Sequence, residues 1–323
     1  MIDPLAEMVS LLQPGAAYSK RARANGLWRV QRSETGQPFY CVVLEGRTRL
    51  EMKGHPPVAL EQGDFVLIPA AWEFCMTSEQ PPAADAPDSM PEMLAPGEVW
   101  LGDRQQPAEV QTLIGYCQFA APDAELIVSL LPQFIHVRGV SRLTTLVQLV
   151  RDECRAQRPA RQIVLERLLE LLLIEALRAM PAANASPGVM RGLADERLAG
   201  AIRAIHARPA HGWTVPQLAK HAALSRSAFF VRFRDAVGMA PMAYLLTWRM
   251  ALAKNLLRSS RLSVADVAER VGYRSASAFS IAFTRFTGQT PTGFAGAERR
   301  SGTAEAEPAI AQVNLSRPGQ PPA

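Results

Sequence analysis

Residues 272–291 read GYRSASAFSIAFTRFTGQTP, and a divergent copy, ALSRSAFFVRFRDAVGMAP, stands upstream at 223–241. The two align at an offset of 50: Ser225 with Ser275, Phe229 with Phe279, Phe233 with Phe283, Gly238 with Gly288 and Pro241 with Pro291. A serine caps a helix start, phenylalanines four apart lay an apolar stripe along it, and a glycine followed by a proline ends it. Further upstream the match continues at an offset of 49, pairing Val215, Leu218 and Ala219 with Val264, Val267 and Ala268. Thr214 and Gln217 have capping-box spacing, and Ser263 with Asp266 is a looser version of it. Each unit therefore reads as a short helix, a tight turn (Ala222-Ala223-Leu224; Val271-Gly272-Tyr273) and a second helix, a helix-turn-helix present twice.

Charge separates this region from the rest. Residues 1–190 hold 17 Lys/Arg against 22 Asp/Glu, a net of −5, whereas residues 191–300 hold 17 against 6, a net of +11. A basic segment joined to a mildly acidic one points to polyanion binding by the former alone. An accidental repeat in a helical bundle would carry neither that charge nor the paired caps. In a DNA-binding helix-turn-helix the second helix enters the major groove, and two on one body would read grooves roughly 34 Å apart. The amphipathic stretch at about 240–257 is long enough to be the spacer.

Upstream, GLWRVQR, PFYCVVLEG, RTRLEMK and DFVLIPA are strand-like runs separated by turn signals at Gly36-Gln37-Pro38, Gly46, Gly54 and Gly63-Asp64. Their close spacing predicts an antiparallel sandwich or small barrel, so the fold class is α+β. The Pro-rich segment 78–98 reads as a long loop, after which EVWLGD and AEVQTLIGYCQFA return to the strand pattern. Helical patterns follow around 123–131, at 141–156 and at 160–179. The last, apolar around most of its circumference, predicts burial against the sheet and against a second copy of the chain. Residues 181–192 read as a linker and 301–323 as a disordered tail. No run has the apolar length of a membrane span, the N-terminus lacks a signal-peptide pattern, and four scattered cysteines suit a reducing cytoplasm. The expected location is cytoplasmic.

WTVPQLAKHAALSRSAFFVRFRDAVGMAPMAYLLTWRMALAKNLL followed by SVADVAERVGYRSASAFSIAFTRFTGQTP resembles the DNA-binding domain of the AraC-family transcription regulators over roughly residues 195–297. More loosely, FYCVVLEGRTRLE, the Gly63-Asp64-Phe65 turn, Pro69 and LLPQFIHVRG at 130–139 resemble the cupin-type sensor domain of one branch of that family. The resemblance implies a cupin-like barrel over 1–140 and dimerisation or linker helices over 141–180. A linker at 181–193, a double helix-turn-helix over 194–298 and a tail at 299–323 complete the organisation. It implies double-stranded DNA as a partner, a homodimer, a small-molecule effector and contact with RNA polymerase. An activator is expected, with no cofactor, no enzymatic activity and no membrane association.

On the helix after Ser225, the face opposite Phe229 and Phe233 offers Ser227, Phe230, Val231 and Arg234, where the family's pattern places base-facing side chains. Arg234 suits a guanine or a phosphate, Phe230 and Val231 a thymine methyl, and Arg226 and Arg232 phosphates. The corresponding face of the second unit is Ala276, Ser277, Ser280, Ile281 and Thr284, with isoleucine where relatives often have arginine. Arg274, Arg285 and the Gln289-Thr290 backbone are the expected phosphate contacts there. Specificity then rests more on the first helix and on DNA shape.

A metal-dependent cupin oxygenase with an appended nucleic-acid domain is the alternative. Metal-binding cupins place two histidines and a carboxylate in a first motif and a further histidine in a second. PFYCVVLEG has no histidine, and Phe74 stands where the last would fall. His55, His136, His206, His211 and His221 show no ligand spacing, so no metal is expected. An effector pocket lined by Trp28, Phe39, Tyr40, Trp72, Phe74, Trp100 and Tyr116 is expected instead. Cysteines by which some relatives sense oxidants would align near Ile114 and residue 20 and are absent. Cys41, Cys75 and Cys117 read as small buried apolar side chains.

Overall fold

The computed structural model describes residues 3–119, 121, 124–156, 158–180, 187–259 and 262–301, apart from the side chains of residues 16, 33–35, 72, 259 and 297–301. Residues 181–186 of the expected linker and 302–323 of the expected tail lie outside the described residues. The chain divides into two compact units, Met1–Leu252 and Ala253–Ala323.

The first unit opens with helix α1 (Pro4–Leu12). Asp3 caps it, accepting from Leu5 N at 3.0 Å, and Pro4 takes the first turn, where its missing N–H costs nothing. A nine-stranded sheet follows. Its strands are β1 (Pro14–Asn25), β2 (Arg29–Glu45), β3 (Arg47–Met52), β4 (Val58–Glu61), β5 (Phe65–Ser78), β6 (Glu92–Ala95), β7 (Glu98–Gly102), β8 (Val110–Phe119) and β9 (Ile135–Val137), with a short helix α2 (Ala124–Val128) before the last. The order is β4-β3-β5-β2-β8-β1-β7-β6, with β9 beside β5. The α+β class is as predicted, but barrel is a loose description, because the strand order does not close on itself.

Three local expectations are corrected. The Gly36-Gln37-Pro38 turn is a bulge within β2, where the pairing with β5 shifts register between Ser33 and Phe39. The Pro-rich 78–98 loop contains β6, which pairs with β7. The sheet is not wholly antiparallel, since β1 runs parallel to β7, a pairing allowed by the long stretch of chain between them.

Alternation along the strands sorts side chains into two cores. Phe39, Cys41 and Val43 of β2 join Val66, Ile68, Phe74 and Met76 of β5 in one cluster inside the sheet. Tyr40 and Val42, with Phe65 and Leu67, face the helices instead. Tyr40 lies flat on β8 at Gly115, where a Cβ would come within 2.2 Å of its ring.

The helix-facing core continues through α1, α3 (Ser141–Arg155) and α4 (Arg161–Ala179), which buries Leu165, Leu169, Leu172, Leu173, Ala176 and Leu177. Beyond the undescribed residues the linker is not open chain. Gly188 N donates to Ala236 O and Val189 N to Leu130 O, and α5 (Val189–Ala194) starts at once. The same cluster then runs into α6 (Glu196–Ala207), α7 (Val215–His221), α8 (Arg226–Val237) and the first part of α9 (Pro241–Ser259). The second unit holds the end of α9, α10 (Val264–Arg270), α11 (Ala276–Thr287) and α12 (Pro291–Ser301). Among the described residues no helix is long and apolar enough to cross a membrane.

Candidate nucleic-acid interface

The two helix-turn-helix units are built alike, bond for bond. α7 and α10 each have 7 residues, and α8 and α11 each have 12. Both first helices carry complete capping boxes. Gln217 N donates to Thr214 Oγ1 at 3.4 Å and Thr214 N to Gln217 Oε1 at 2.9 Å. Asp266 N donates to Ser263 Oγ and Ser263 N to Asp266 Oδ2, both at 3.1 Å, so the version expected to be looser is as complete. Hydrogen bonds from Ser263 hold the Asp266 carboxyl below its ordinary range. Ser225 and Ser275 cap α8 and α11 through Ala228 N (3.2 Å) and Ala278 N (3.1 Å). Gly238 and Gly288 end them in the left-handed conformation, φ +85° and +78°, each donating its N–H back at 2.8 Å, to Arg234 O and Thr284 O. Pro241 and Pro291 then begin α9 and α12.

The change of offset from 49 to 50 comes from the turn. Three residues separate α7 from its neighbour's cap Ser225, and four separate α10 from Ser275. Each turn passes through a residue of positive φ, Ala223 at +51° and Gly272 at +85°. Inside, Phe229–Phe233 and Phe279–Phe283 ring centroids lie 5.5 and 5.4 Å apart. A third aromatic pair completes each core: Tyr244 stands edge-on to Phe233 at 5.7 Å, and Phe294 to Phe283 at 5.8 Å. That match, also 50 residues apart, was overlooked in the sequence although APMAY and TPTGF display it. Each fully buried phenylalanine is worth about 1.5–3 kcal/mol, enough to hold a short helix that would not form alone.

With those rings inward, the outward centre of each second helix is a β-branched apolar residue, Val231 (50% exposed) and Ile281 (69%). Ser227, Phe230, Arg226 and Arg234 are exposed on α8. On α11 Ser277, Ala278, Ile281 and Arg285 are exposed, while Ala276, Ser280 and Thr284 are half-buried. Arg274, Gln289 and Thr290 are exposed, but Gln289 N already donates to Thr287 Oγ1 at 3.2 Å. Thr290 Oγ1 accepts from Gly293 N at 3.1 Å as the cap of α12.

Two acids, one on α8 and one beside it, went unnoticed in the sequence. Asp235 is exposed and 4.0 Å from Arg234 Nε, and its counterpart in α11 is Arg285, so the two helices differ in charge at this outward position. Asp195 receives Arg232 Nε at 2.6 Å. Burial would raise the Asp195 carboxyl, but Arg232 and the backbone N–H groups of Leu198 and Arg197 hold it below its ordinary range.

In the sheet, Trp28, Phe39, Phe74 and Tyr116 line a cavity of about 40 Å³, with Lys20 and Arg32 as the cations on its wall. That is room for about three waters. Tyr40 and Trp100 do not reach it: Tyr40 faces the helices, and Trp100 alternates with the cavity-lining Val99 and Leu101 on β7. The Trp72 side chain lies outside the described residues. Cys41, Cys75 and Cys117 are buried as expected, and burial pushes the Cys117 thiol up to about 12 and raises that of Cys41 further. Among the described residues no group of three His, Cys, Asp or Glu is placed to hold a metal ion.

The sequence matches the Cupin family over residues 3–182 and the Helix-turn-helix domain family over residues 218–297. It is 33% identical over 297 residues to a protein of Streptomyces antibioticus named as an AraC-like transcription regulator, covering 90% of this chain and 97% of that protein. A protein of Streptomyces lividans with the same description is 32% identical over the same shares. Among solved structures, the DNA-binding domain of AdpA in complex with a target DNA is 34% identical, covering 33% of this chain and 96% of that one with a TM-score of 0.32. Both Streptomyces proteins are described as transcription regulators.

Proposed function

The chain belongs to the AraC-like family of transcription regulators, and on that basis we propose that it binds specific DNA sequences through both helix-turn-helix units under the control of its N-terminal domain. The observation that carries this is the duplicated scaffold: two second helices with the same caps, core and length turn different outward faces to solvent from the segment of net charge +11. A structural repeat would have no reason to keep the frame and vary that face. Each second helix enters a major groove, with successive grooves as the arrangement. Ser227, Phe230, Val231 and Arg234 read bases on the first, and Ser277, Ile281 and Thr284 meet them on the second. Arg226, Arg232, Arg274 and Arg285 take phosphates.

Residues 1–140 are the sensing part, 141–180 the dimerisation helices and 194–298 the DNA-binding part of this reading. The aromatic wall of Trp28, Phe39, Phe74 and Tyr116 is what supports a small-molecule effector, which the cavity of about 40 Å³ would have to open to admit. Ile163 and Val164, exposed on α4, support association of two copies there. The reading is of a cytoplasmic activator that meets RNA polymerase on DNA. Selection of duplexes from a random pool, followed by shift assays across salt concentrations, tests it. Enrichment of one motif, bound with a steep salt dependence, is the expected result; salt-dependent binding that is indifferent to sequence overturns it. Light scattering that gives a single-chain mass at micromolar concentration overturns the dimer.

A further inference from the structure

Arg232 and Ala282 occupy equivalent positions in α8 and α11, so only α8 has a cation at that position. Arg232 follows Val231 by one residue, about 100° round the helix from the outward centre. That places it at the rim of the exposed face. Its Nε donates to Asp195 Oδ2 at 2.6 Å. Asp195 is itself held firmly. Its Oδ1 accepts from Arg197 N at 3.0 Å and Leu198 N at 3.2 Å, capping α6, while its own N–H closes α5 on Arg191 O at 3.2 Å. The carboxylate is therefore a fixed point to which the arginine is tied. The Arg232 side chain remains half exposed while that of Asp195 is only 16% exposed, so the cation and not the acid faces outward. With Nε engaged, both Nη groups keep their N–H donors for another acceptor. A wide groove of about 830 Å³, lined by Arg191, Asp195, Ser227, Val231 and Arg232, leaves space on that side for a sugar-phosphate strand.

We propose that Asp195 is a positioning residue for DNA binding: by fixing Arg232 Nε it presents the Nη edge of the guanidinium to a backbone phosphate at the rim of the groove that α8 enters. The proposal rests on the reading that α8 meets DNA. A free arginine has many rotamers to lose on contact, and a tethered one is ordered beforehand. The tether also keeps the charge partly neutralised until a phosphate arrives.

The test uses the full-length chain and the duplex it selects from a random pool, with Kd measured by anisotropy at several KCl concentrations. Asp195→Asn keeps the cap, since asparagine caps as well as aspartate, but weakens the tether. It is expected to bind about two- to fivefold more weakly. Arg232→Gln is expected to lower the salt slope by about one. The double variant should bind like Arg232→Gln alone. If Asp195→Asn weakens Arg232→Gln as much as it weakens the wild type, Asp195 acts through the cap and the proposal is overturned. Unchanged or tighter binding by Asp195→Asn overturns it too, because the acid would then only repel DNA. Arg232→Lys supplies an independent arm, as an ammonium has no Nε edge to be held while a fork is presented; wild-type affinity there also overturns the positioning. A wild type that selects no duplex overturns the DNA-binding reading and this proposal together, whereas the other adverse outcomes appear only in the variants.

Discussion

Tyr244→Phe is the substitution that tests the junction between the N-terminal helix and the first helix-turn-helix. His206 on α6 has a fully buried side chain. Its Nδ1 lies 3.0 Å from Glu7 Oε2, its Nε2 2.7 Å from Tyr244 Oη, and its ring 4.1 Å from that of Trp248. An ionised Glu7 only accepts, so Nδ1 carries the proton, Nε2 accepts, and the Tyr244 hydroxyl donates. Every polar atom of the ring is then satisfied with His206 neutral. Removing the hydroxyl leaves a buried acceptor unpartnered and should cost about 1–3 kcal/mol. Acid should have a related effect in the wild type. Burial, opposed by Glu7 and Asp3, lowers the His206 pKa below its ordinary 6.5. The unfolded chain therefore takes up the proton first, and stability contributed by His206 is complete above pH 6.5 and is lost as pH falls through 6.5 toward the folded value. Urea midpoints followed by tryptophan fluorescence from pH 8 to 5 measure both effects. His206→Gln should flatten the acid limb. Unchanged stability in Tyr244→Phe at pH 8, or an identical acid limb with and without His206, would refute the assignment.

Five further substitutions have defined outcomes. Gly115→Ala drives a Cβ to 2.2 Å from the fixed Tyr40 ring and should destabilise by about 1–3 kcal/mol, read as a lower urea midpoint; a neutral result would mean the ring can move. Ala223→Gly relieves a non-glycine residue at φ +51° and should stabilise by about 0.5–1 kcal/mol, while Gly272→Ala at φ +85° should destabilise by at least as much, both read by thermal melting. Arg234→Ala should relax sequence preference in a selection experiment by about 1–3 kcal/mol at one base pair, whereas Ile281→Ala should change affinity by less than twofold; equal effects would contradict the division of labour between α8 and α11.

The repeat was legible because its frame is local: caps, ring spacing and the terminal glycine all act within 16 residues of one another, from Ser225 to Pro241. β1 was not legible. PGAAYSKRARAN has no β-branched residue, and it is a strand because it is hydrogen-bonded between β8 and β7, with small Ala22 and Ala24 facing inward. The expected pocket failed at Tyr40 and Trp100 for a similar reason. Aromatic character predicts burial, but the face of the sheet is set by register, which for Tyr40 the bulge in β2 resets between Ser33 and Phe39. His206 had no local signal at all, since Glu7 is 199 residues away in the chain. Asp195 could have been found: an aspartate before ERLAGAI is a helix cap, and a cap beside the arginine-bearing second helix of a helix-turn-helix is a candidate tether.

The two helix-turn-helix units share a frame but differ in what supports them. Phe229 and Phe233 belong to the cluster that includes Met8 and Leu12 of α1 and Leu113 of β8, so the core of the first unit is continuous with the helical face of the sheet. Close-packed interiors transmit a volume change to their neighbours and do not absorb it. A cavity cut into α1 should therefore be felt at α8. Met8→Ala, at a fully buried position, should cost about 2–5 kcal/mol. By hydrogen exchange, the amides of α8 should lose protection, while those of α11, whose rings Phe279, Phe283 and Phe294 pack on one another, should keep it. Equal loss in both helices would mean that the second unit is coupled to α1 as strongly as the first. Loss in neither would mean that α1 is a dispensable cover. Only the graded outcome makes the first helix-turn-helix the one whose core is coupled to the sheet.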